Sequence, residues 1–319
     1  MIVTVTLNAA LDRTLTVPSF QRDHRHRASQ VLTLAGGKGI NVARALKSLG
    51  EPVIATGFSA GPTGARIRDL LDAEQVLHDF CEVGGDSRTN LSIVDPTSGE
   101  QTEINERGPQ VTAADLERFT DRLTYLAGGA DFCVIAGSLP PGSEPDAYGI
   151  LISQLRSIGV PTLLDTDGEP MRAGLRAQPA VVAPNVAEAE EAVGYEFTDA
   201  EDLGAGLTSL IEMGAEQAIV TTGSGCVAIT GEPHSRQRLE ATIDPLDMVA
   251  GVGSGDAFLA GYVSARRADR PDSTCLAYGV ACGAESTQHL GAGMLDPGGV
   301  ERLVDQVRVT RMDAPARVA

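Results

Sequence analysis

Residues 251–256 read Gly-Val-Gly-Ser-Gly-Asp, so glycines at alternate positions lead directly to Asp256. The residues that follow predict the start of a helix. The N–H groups in the first turn of a helix have no partner within it, and the helix dipole adds positive potential, so this turn can bind an anion. Asp256 can then take a proton from an attacking hydroxyl while the N–H groups stabilise a transferring phosphoryl group. The alternative is an aspartate that only caps the helix.

A second glycine motif, Gly-Gly-Lys-Gly-Ile-Asn at residues 36–41, contains Lys38 and Asn41 and also precedes a predicted helix. It is not a P-loop, because the sequence has no Gly-x-x-x-x-Gly-Lys-Ser/Thr pattern. A lysine between glycines at a helix N-terminus suits a phosphate or polyol ligand. The alternative is a turn with a solvated lysine.

Arginines form another group of candidates for binding an anion. Arg25 and Arg27 belong to a His-Arg-His-Arg run that is unusual in so acidic a chain, and they share one face if that segment is a strand. Arg88 begins another predicted strand and can bind an anion through two N–H groups. For each of these arginines, a solvated basic side chain is the alternative.

Polar residues also follow predicted strands, where an α/β architecture opens its cleft. The motif Gly137-Ser138-Leu139-Pro140 comes directly after the predicted strand at 132–136, which would place the Ser138 hydroxyl at the cleft. The Pro-Pro step that follows equally fits a plain turn. Asp12 and Asp165 stand at other strand ends, where carboxylates can bind sugar hydroxyls or support a metal.

Two further strand ends suit a nucleotide. Asn185 and Glu188 lie three residues apart on one face of a predicted helix, and they suit Mg²⁺ bound through water, because Mg²⁺ keeps much of its water shell. The alternative is a helix cap with a capping-box glutamate. Thr222, Gly223 and Gly225 belong to a Thr-Thr-Gly-Ser-Gly turn that can contact nucleotide phosphates or ribose.

The elements that must position these residues follow two patterns. Helices and strands alternate after residue 106, which indicates βαβ units, a parallel sheet and active-site loops at the carboxyl ends of its strands. The stretches 11–34 and 86–106 instead alternate apolar and polar residues, as half-exposed antiparallel strands do. We therefore expect an α/β body of residues 1–10, 35–85 and 107–319, with the other two stretches forming an inserted small β lid.

Apolar spacing predicts where the individual elements lie. The predicted helices span 40–50, 64–73, 112–126, 145–158, 186–193, 201–213, a segment from 256 onward, and 272–289. The predicted strands span 2–7, 14–17, 29–34, 53–57, a hairpin within 88–105, 132–136, 161–165, 181–183 and 218–221.

Composition limits the functions that the chain can have. The 319 residues are 42% hydrophobic, which is enough for a substantial core. A net charge of −18 argues against nucleic acid or an anionic membrane as a partner. The five scattered cysteines lack Cys-x-x-Cys spacing and predict reduced thiols without a zinc site. We recognise neither a leader segment nor an apolar run that could span a membrane, so we expect a cytoplasmic protein.

Glycine turns and polar residues thus recur at strand ends, which predicts a nucleotide-handling cleft on an α/β sheet. A Rossmann dehydrogenase would need a Gly-x-Gly-x-x-Gly motif after the first strand, and residues 8–13 contain none. The alternative from another functional class is a non-catalytic sensor of nucleotides or sugar phosphates on the same fold.

With its motifs in this order, the chain resembles the ribokinase-like, PfkB-type carbohydrate kinases from about residue 2 to residue 300. The matching motifs are Gly36 to Ala43, Gly137 to Pro140, Pro184 to Glu188 and Gly253 to Asp256. Thr4 to Asp12, the lysine of the first motif and Thr102 to Glu106 are similar to the phosphosugar branch, which includes 1-phosphofructokinases, tagatose-6-phosphate kinases and a minor 6-phosphofructokinase. The resemblance implies a three-layer α/β sandwich with a mostly parallel central sheet and a small inserted β-sheet lid.

The resemblance also implies a role for each matching residue. Asp256 would be the base, and Gly253, Ser254, Gly255 and Asp256 would form the anion hole. The phosphosugar would meet Asp12, Gly37, Lys38, Asn41, Arg88 and Ser138. ATP and Mg²⁺ would meet Asn185, Glu188, Thr222, Gly223 and Gly225, with Glu188 acting on the metal through water. In a homodimer joined through the lid, Arg25 and Arg27 would reach the neighbour's substrate.

We therefore expect ATP-dependent phosphorylation of a hydroxymethyl group of a ketohexose phosphate. Fructose 1-phosphate, phosphorylated at O6, is the first choice, and tagatose 6-phosphate and fructose 6-phosphate are the alternatives. Three departures from the family pattern bear on this expectation. Ser254 replaces the usual alanine, Ala183 replaces a lysine near the triphosphate, and Arg107 replaces a proline near the lid.

Overall fold

Ten strands form one central sheet and four more form a smaller sheet in the computed structural model, which describes residues 1–312. The strands are β1 (Ile2–Thr6), β2 (Ala10–Thr16), β3 (Gln30–Gly36), β4 (Val53–Ala60), β5 (Leu77–Val83), β6 (Arg88–Asp95), β7 (Glu100–Asn105), β8 (Phe132–Ala136), β9 (Thr162–Asp165), β10 (Val181–Val182), β11 (Gln217–Thr222), β12 (Gly225–Thr230), β13 (Gln237–Thr242) and β14 (Arg308–Met312). The helices are α1 (Lys38–Ser48), α2 (Gly61–Ala73), α3 (Ala113–Leu126), α4 (Ala147–Ser157), α5 (Gly168–Arg176), α6 (Val186–Val193), α7 (Ala200–Glu212), α8 (Ser254–Arg267), α9 (Asp272–Ser286) and α10 (Pro297–Val304).

The central sheet runs in the order β14-β13-β12-β11-β10-β9-β8-β1-β4-β5. Neighbouring strands from β11 to β5 pair in parallel, whereas β12, β13 and β14 extend the sheet antiparallel beyond β11. A parallel strand is buried on both faces, and every residue of β1 is buried accordingly. The loops that follow the carboxyl ends of the parallel strands lie at one edge of the sheet, where α/β proteins form their ligand clefts.

Helices cover both faces of this sheet. Successive strand residues point to opposite faces, and Val134 and Ile135 accordingly belong to different apolar clusters. The cluster with Val134 includes Tyr262 of α8, and the cluster with Ile135 includes Phe119 of α3 and Tyr148 of α4. The layers of helix, sheet and helix confirm the predicted three-layer sandwich with a mostly parallel central sheet.

The smaller sheet has the order β3-β2-β6-β7. Its hairpins β2–β3 and β6–β7 are antiparallel, as the alternating pattern predicts, and β2 pairs with β6 in parallel. This register sets Asp12 directly opposite Asn90. The four strands lie within the two stretches predicted to form the lid, apart from a few residues at Ala10, Ala35 and Gly36. That this sheet acts as a lid on a separate body stays a prediction.

The sequence analysis missed several elements of the central sheet and its helices. These are β5, α5, β12, β13, α10 and β14. Strand β13, with the sequence Gln-Arg-Leu-Glu-Ala-Thr, has few apolar residues because it lies in the antiparallel extension of the sheet. Helix α5 begins with Gly-Glu-Pro, which reads as a turn. The predicted end of the last long helix at 289 is wrong, because α9 ends at Ser286.

The thiols of all five cysteines are free, and Cys81 alone is half-buried while the others are buried. Among residues 1–312, no helix combines the length and the apolar composition needed to cross a bilayer.

Candidate active site

A cleft of about 660 Å³ lies between the small sheet and the carboxyl edge of the parallel strands. Predicted site residues from distant parts of the sequence meet in it. The ones that line it are Asp12, Gly37, Lys38, Asn41, Arg88, Asp165, Asn185, Glu188, Thr222, Gly223, Gly253, Ser254, Gly255 and Asp256. Most of the residues nominated from separate motifs therefore belong to one site.

Asp256 lies in the first turn of α8. This helix begins at Ser254, and its N-cap residue is Gly253, whose φ of 85° suits glycine. Asp256 is therefore not the cap, and the capping alternative is wrong. Its side chain is buried, and Asn41 Nδ2 donates a hydrogen bond of 2.9 Å to Asp256 Oδ2. The second carboxylate oxygen, Oδ1, makes no hydrogen bond within residues 1–312 and is not enclosed, so it is the oxygen that a substrate hydroxyl can approach.

The surroundings of Asp256 favour proton transfer near neutral pH. Burial raises the pKa of Asp256 to about 7, and the nearby charges of Asp165 and Asp12 add to the rise. The ammonium of Lys38 and the hydrogen bond from Asn41 lower the pKa and so limit the rise. A general base works best when its pKa lies near the operating pH.

The first turn of α8 also offers free N–H groups. Those of Gly253, Gly255 and Asp256 form no hydrogen bond in the described part of the chain, and that of Ser254 reaches only the carbonyl of Gly251, at 3.4 Å. Apart from its own stretch of α8, no atom lies within 4 Å of the position that a Cβ would occupy at Gly255. An anionic group therefore has both donors and room beside Asp256, as an oxyanion hole requires.

Lys38 lies between carboxylates at the centre of the cleft. Its Nζ is 3.1 Å from Asp165 Oδ1 and 2.9 Å from Glu188 Oε1. Burial lowers the pKa of Lys38, but the charges of Asp165, Glu188 and Asp256 outweigh burial and raise it overall. Burial raises the pKa of Asp165, and Lys38 opposes that rise. Lys38 thus stays an ammonium. Lys38 is predicted to bind the sugar, and its ion pair with Glu188 places it beside a residue predicted to serve the nucleotide.

Asn185 and Glu188 form a capping box at the start of α6. Asn185 Oδ1 accepts a hydrogen bond from the N–H of Glu188 at 3.0 Å, and Glu188 Oε2 accepts one from the N–H of Asn185 at 3.0 Å. The capping alternative is therefore confirmed for this pair. The box also fixes the Glu188 carboxylate in the cleft beside Lys38.

The Glu188 carboxylate fits a magnesium ion that keeps most of its water. Within residues 1–312 no group of three or more His, Cys, Asp or Glu side chains is arranged as a metal site. Mg²⁺ bound with phosphates typically uses one or two carboxylates and several waters, so it needs no such group. Glu188, held by its capping box and lining the cleft, can bind that water shell.

At the end of the cleft predicted to bind the nucleotide, Thr222 and Gly223 line the cleft but Gly225 does not. Gly225 opens β12, where it pairs with β13 and has a φ of 155°. A Cβ there would lie 1.9 Å from the carbonyl oxygen of Ala241. Close pairing of two strands accounts for this glycine, which does not line the cleft. That Gly225 contacts MgATP stays a prediction. Ala183 does line it, without a side-chain charge for a triphosphate.

At the opposite end, Asp12, Asn90 and Arg88 form a polar cluster on the small sheet. Asn90 Nδ2 donates to Asp12 Oδ1 at 2.9 Å. Burial raises the pKa of Asp12, while Asn90 and Arg88 oppose the rise. Burial lowers the pKa of Arg88, and Asp12 opposes that change. Arg88 Nε donates to the Asn8 carbonyl at 3.1 Å, which anchors the guanidinium to the end of β1.

Ser138 lines a smaller pocket of about 200 Å³ that shares Lys38 and Arg88 with the main cleft. Asn8 Nδ2 lies 3.4 Å from Ser138 Oγ and donates to the carbonyl of Arg107 at 3.1 Å. The Arg107 side chain is exposed and lines neither cavity. Arg107, which stands where the family pattern has a proline, therefore adds no charge to either cavity of this chain.

The structure does not bring Arg25 and Arg27 into the cleft of their own chain. Both are exposed, in a segment between β2 and β3 that forms turns and irregular backbone. The prediction that they share a face of a strand is wrong. Phe20 and His26 lie with ring centroids 5.2 Å apart in this connection, and His26 is bonded to the backbone of Gln21. These local contacts form a compact loop instead.

The sequence analysis missed Asn90, Arg44 and Ala292 as parts of the site. Asn90 is two residues after Arg88 on β6, so the side-chain alternation of a strand could have placed both at the cleft. Arg44 is three residues after Asn41 on α1, a spacing that puts the two side chains on one helical face. Ala292 lies in a loop after α9, and nothing in its local sequence indicates a role.

Comparisons with known proteins extend over nearly the whole chain. The model of the pfkB family carbohydrate kinases matches residues 3–297. A 1-phosphofructokinase of Borreliella burgdorferi is 32% identical over 97% of this chain and 98% of its own length. A tagatose-6-phosphate kinase of Staphylococcus epidermidis is 31% identical over 97% and 99%. The solved structure of a possible 1-phosphofructokinase from Thermotoga maritima is 27% identical, with a TM-score of 0.88 over 98% of this chain and all of that one.

Proposed function

Because this chain belongs to the pfkB family of carbohydrate kinases, we propose that its cleft transfers the γ-phosphoryl group of ATP to a hydroxymethyl group of a ketohexose phosphate. The observation that carries this proposal is the first turn of α8. There the open carboxylate oxygen of Asp256 and the free N–H groups of Gly253, Gly255 and Asp256 border the same cleft. A base beside an anion hole is the arrangement that direct phosphoryl transfer needs.

The acceptor hydroxyl attacks the γ-phosphorus of ATP directly. A new O–P bond forms while the bond between the γ-phosphorus and the β,γ-bridging oxygen breaks, and ADP leaves with that electron pair. The hydroxyl proton passes to Asp256 Oδ1. The N–H groups at the start of α8 bind the oxygens of the transferring group, and Lys38 adds positive charge at the centre of the cleft. Positioning and electrostatic stabilisation supply most of the catalysis in such a transfer.

ATP and Mg²⁺ occupy the end of the cleft formed by Asn185, Glu188, Thr222 and Gly223 in this proposal. When bound, Mg²⁺ neutralises charge on the phosphate oxygens. Glu188 would hold the water shell of the ion, because its capping box already fixes the carboxylate. Thr222 ends β11 and Gly223 follows it, and both border the phosphates or the ribose in this proposal.

The sugar phosphate occupies the other end, and fructose 1-phosphate is our first choice. Asp12, Lys38 and Asn41 supply partners for sugar hydroxyls, and Arg88 with Ser138 borders the smaller pocket that can take a phosphate. The choice of sugar is supported by the 1-phosphofructokinase that is 32% identical to this chain. Tagatose 6-phosphate is the second candidate, because the tagatose-6-phosphate kinase is 31% identical over a similar share of the chain.

A coupled assay of ADP release tests both choices with ATP and fructose 1-phosphate, tagatose 6-phosphate or fructose 6-phosphate. We expect the highest kcat/KM with fructose 1-phosphate, by about tenfold or more, because a site built to bond a particular hydroxyl rejects the analogue that misplaces it. A higher kcat/KM with another of these sugars would change the substrate and leave the kinase proposal intact. Absence of ADP release with all of them would favour a non-catalytic sensor.

We further propose a homodimer joined through the small sheet. Val31 and Ile104 are 53% and 57% exposed on the face of this sheet that points away from the cleft. A second copy covering that face would bury them, and Arg25 and Arg27 in the neighbouring loop would then lie near the partner's cleft. Sedimentation of the wild type should give a dimer, and Ile104→Glu should give monomers. A wild-type monomer at micromolar concentration would contradict the dimer.

A further inference from the structure

Arg44 is a buried arginine on α1 that bonds to several separate segments around the cleft. Its side chain is 5% exposed. Nη1 donates to Asn41 Oδ1 at 3.1 Å and to the carbonyl of Ala292 at 2.9 Å, and Nη2 donates to the carbonyl of Ala35 at 2.6 Å. Arg44 itself does not line the cleft. A guanidinium with its fixed fork of donors can hold such segments in one geometry, which a lysine cannot.

Glu74, just beyond the end of α2, balances the charge of this buried arginine. Glu74 Oε2 accepts from Arg44 Nε at 2.6 Å, and Oε1 accepts from Nη2 at 3.1 Å. A buried ion pair is tolerated when its geometry is good and its remaining donors are bonded. The bidentate pair fixes the plane of the guanidinium and therefore the direction in which Nη1 points.

The contact with Asn41 determines which way its side-chain amide faces. Oδ1 accepts from Arg44, so Nδ2 must point toward Asp256, to which it donates at 2.9 Å. The opposite orientation would set the Asn41 oxygen against the Asp256 carboxylate and its amide hydrogens against the guanidinium. Both contacts would be repulsive, because guanidinium has only donors and an ionised carboxylate has only acceptors. Arg44 thus selects the rotamer in which Asn41 supports the base.

The contact with Ala292 supports the N–H groups at the start of α8. Ala292 packs against Gly253 so closely that a Cβ on Gly253 would lie 2.6 Å from the Ala292 Cβ. The next residue, Gly293, packs against the backbone of Asn41 in the same way, since a Cβ there would lie 2.3 Å from the Asn41 carbonyl oxygen. By holding the Ala292 carbonyl, Arg44 keeps this loop between α1 and the turn that carries the anion hole.

We propose that Arg44 is a positioning residue for phosphoryl transfer, which aligns the Asp256 carboxylate and the N–H groups of Gly253 to Asp256 through Asn41 and Ala292. The inference rests on the proposed kinase function. It adds a residue outside the cleft to that function, and it assigns to the buried pair of Arg44 and Glu74 a part in catalysis beyond stabilising the fold.

The ionisation of Asp256 reports this alignment. The groups that act on it are Lys38 from α1, Asp165 from the end of β9, Asp12 from β2 and the amide of Asn41. The hydrogen bond from Asn41 lowers the pKa of Asp256. When Asn41 is no longer held, that bond weakens and the pKa rises. The acidic limb of the kcat profile, on which Asp256 must lose a proton, then moves to higher pH.

The experiment compares the wild type with Arg44→Met and Arg44→Lys. Folding is checked by circular dichroism and urea unfolding, and Arg44→Lys keeps a positive charge beside Glu74 if the methionine variant does not fold. Arg266→Met is the matched control, because Arg266 on α8 is partly buried and paired with Asp272 at 2.7 Å without lining the cleft. We expect kcat to fall about 10- to 100-fold in both Arg44 variants, because a small misplacement of reacting groups lowers the rate by such factors. In the control, kcat should stay near the wild-type value.

Two readouts separate positioning from a purely structural role. The acidic limb of kcat, and the carboxyl titration of Asp256 followed by ¹³C NMR, should both move to higher pH in the Arg44 variants. In an Asn41→Ala background, adding Arg44→Met should shift the acidic limb and the Asp256 titration little, because Arg44 acts on Asp256 through Asn41 and that contact is already lost. If Asp256 titrates in the folded Arg44 variants as it does in the wild type, the proposal is wrong. It is also wrong if Arg44→Met shifts the Asp256 titration as much in the Asn41→Ala background as in the wild type. The NMR titration needs no turnover, so its result stands apart from a failure of the kinase proposal.

Discussion

Two regions of the cleft, the surroundings of Asp256 and the polar cluster on the small sheet, differ in how their supporting polar groups are bonded. Around Asp256, a chain of hydrogen bonds runs from the carboxylate through Asn41 and Arg44 to Glu74. The side-chain oxygens of Asn90, on the small sheet, and of Asn8, in the turn before it, are buried without a hydrogen-bond partner within residues 1–312. A buried acceptor without a partner costs about 1–3 kcal/mol. At the catalytic end, around Asp256, the groups that support the base are thus bonded to one another, and Oδ1 and the N–H groups of α8 are left for the substrates. At the sheet end, around Asp12 and Arg88, two buried acceptors have no partner within residues 1–312.

This difference indicates how the work of the cleft is divided. The finished network holds Asp256 and the N–H groups of α8 in place before a ligand arrives, so it serves the transfer step that every substrate shares. Asn90 instead orients the Asp12 carboxylate through its Nδ2 donor, and that carboxylate lines the cleft, where it can accept a hydrogen bond from a sugar hydroxyl. Changes at the catalytic end should therefore lower kcat, and changes at the sheet end should raise KM.

The largest expected effect is that of Asp256→Asn. The variant keeps the shape of the side chain but has no carboxylate to take the hydroxyl proton, so kcat should fall about 10³- to 10⁴-fold. The KM for the sugar phosphate should change little, since the sheet end is untouched. Steady-state rates with the best sugar of the panel measure both constants. A kcat close to that of the wild type would remove Asp256 from the role of base.

Next in size is the effect of adding a methyl group at Gly253. Alanine disfavours the φ of 85° found there, and its Cβ would lie 2.6 Å from the Ala292 Cβ, so the turn with the free N–H groups must shift. Loss of one such donor lowers kcat about 10²-fold. Gly251→Ala is the matched control, because no atom lies within 4 Å of its Cβ position. Equal losses of kcat in both variants would show that the position of the turn is not critical.

At the sheet end, Asn90→Ala should act mainly on binding. It removes the Nδ2 donor that orients the Asp12 carboxylate for the sugar. We expect KM for the sugar phosphate to rise about tenfold, the equivalent of one lost hydrogen bond, with a smaller change in kcat. Ser92→Ala, two residues farther along the same face of β6 and bonded to Gln101, is the control. A tenfold loss in kcat with an unchanged KM would erase the distinction between the two ends.

Local sequence was enough to predict the catalytic turn. Glycines before a helix and an aspartate within its first turn carry their chemistry in a few adjacent residues, so Asp256 and Lys38 could be nominated before their surroundings were known. The three-layer fold was also predictable, because buried parallel strands are apolar runs separated by amphipathic helices.

Contacts between distant segments were not predictable from one sequence. Arg44 and Ala292 are 248 residues apart, and nothing local to either indicates that they meet. The glycine of Gly225 looked like part of a phosphate turn, yet close strand pairing explains it. Arg25 and Arg27 alternate as strand residues would, but contacts within the loop prevail over that pattern. In each instance the deciding interaction lies outside the motif that suggested the role.

The smallest expected effect concerns stability and again contrasts the two ends. Burial raises the pKa of Asp256 from 3.8 to about 7, so the folded state holds this proton more tightly than the unfolded state does. Its contribution to stability is therefore present below about pH 4 and is lost as pH rises to about 7. Asp256→Asn has no such proton to lose. Its unfolding free energy relative to the wild type should rise between about pH 5 and about pH 8, by ~1–3 kcal/mol.

Asp95, at the far end of the small sheet, is the control, because its pKa is lowered in the folded state whereas that of Asp256 is raised. Hydrogen bonds from the backbone of Thr97, Phe20 and Ser19 outweigh desolvation and lower the pKa of Asp95 to about 2. The stability that it contributes is present above about pH 4 and is lost only in stronger acid. Asp95→Asn should therefore differ from the wild type by a constant amount between about pH 5 and about pH 8. Urea unfolding of both variants across that range compares the slopes, and parallel slopes would mean that Asp256 is not held in its protonated form by the fold.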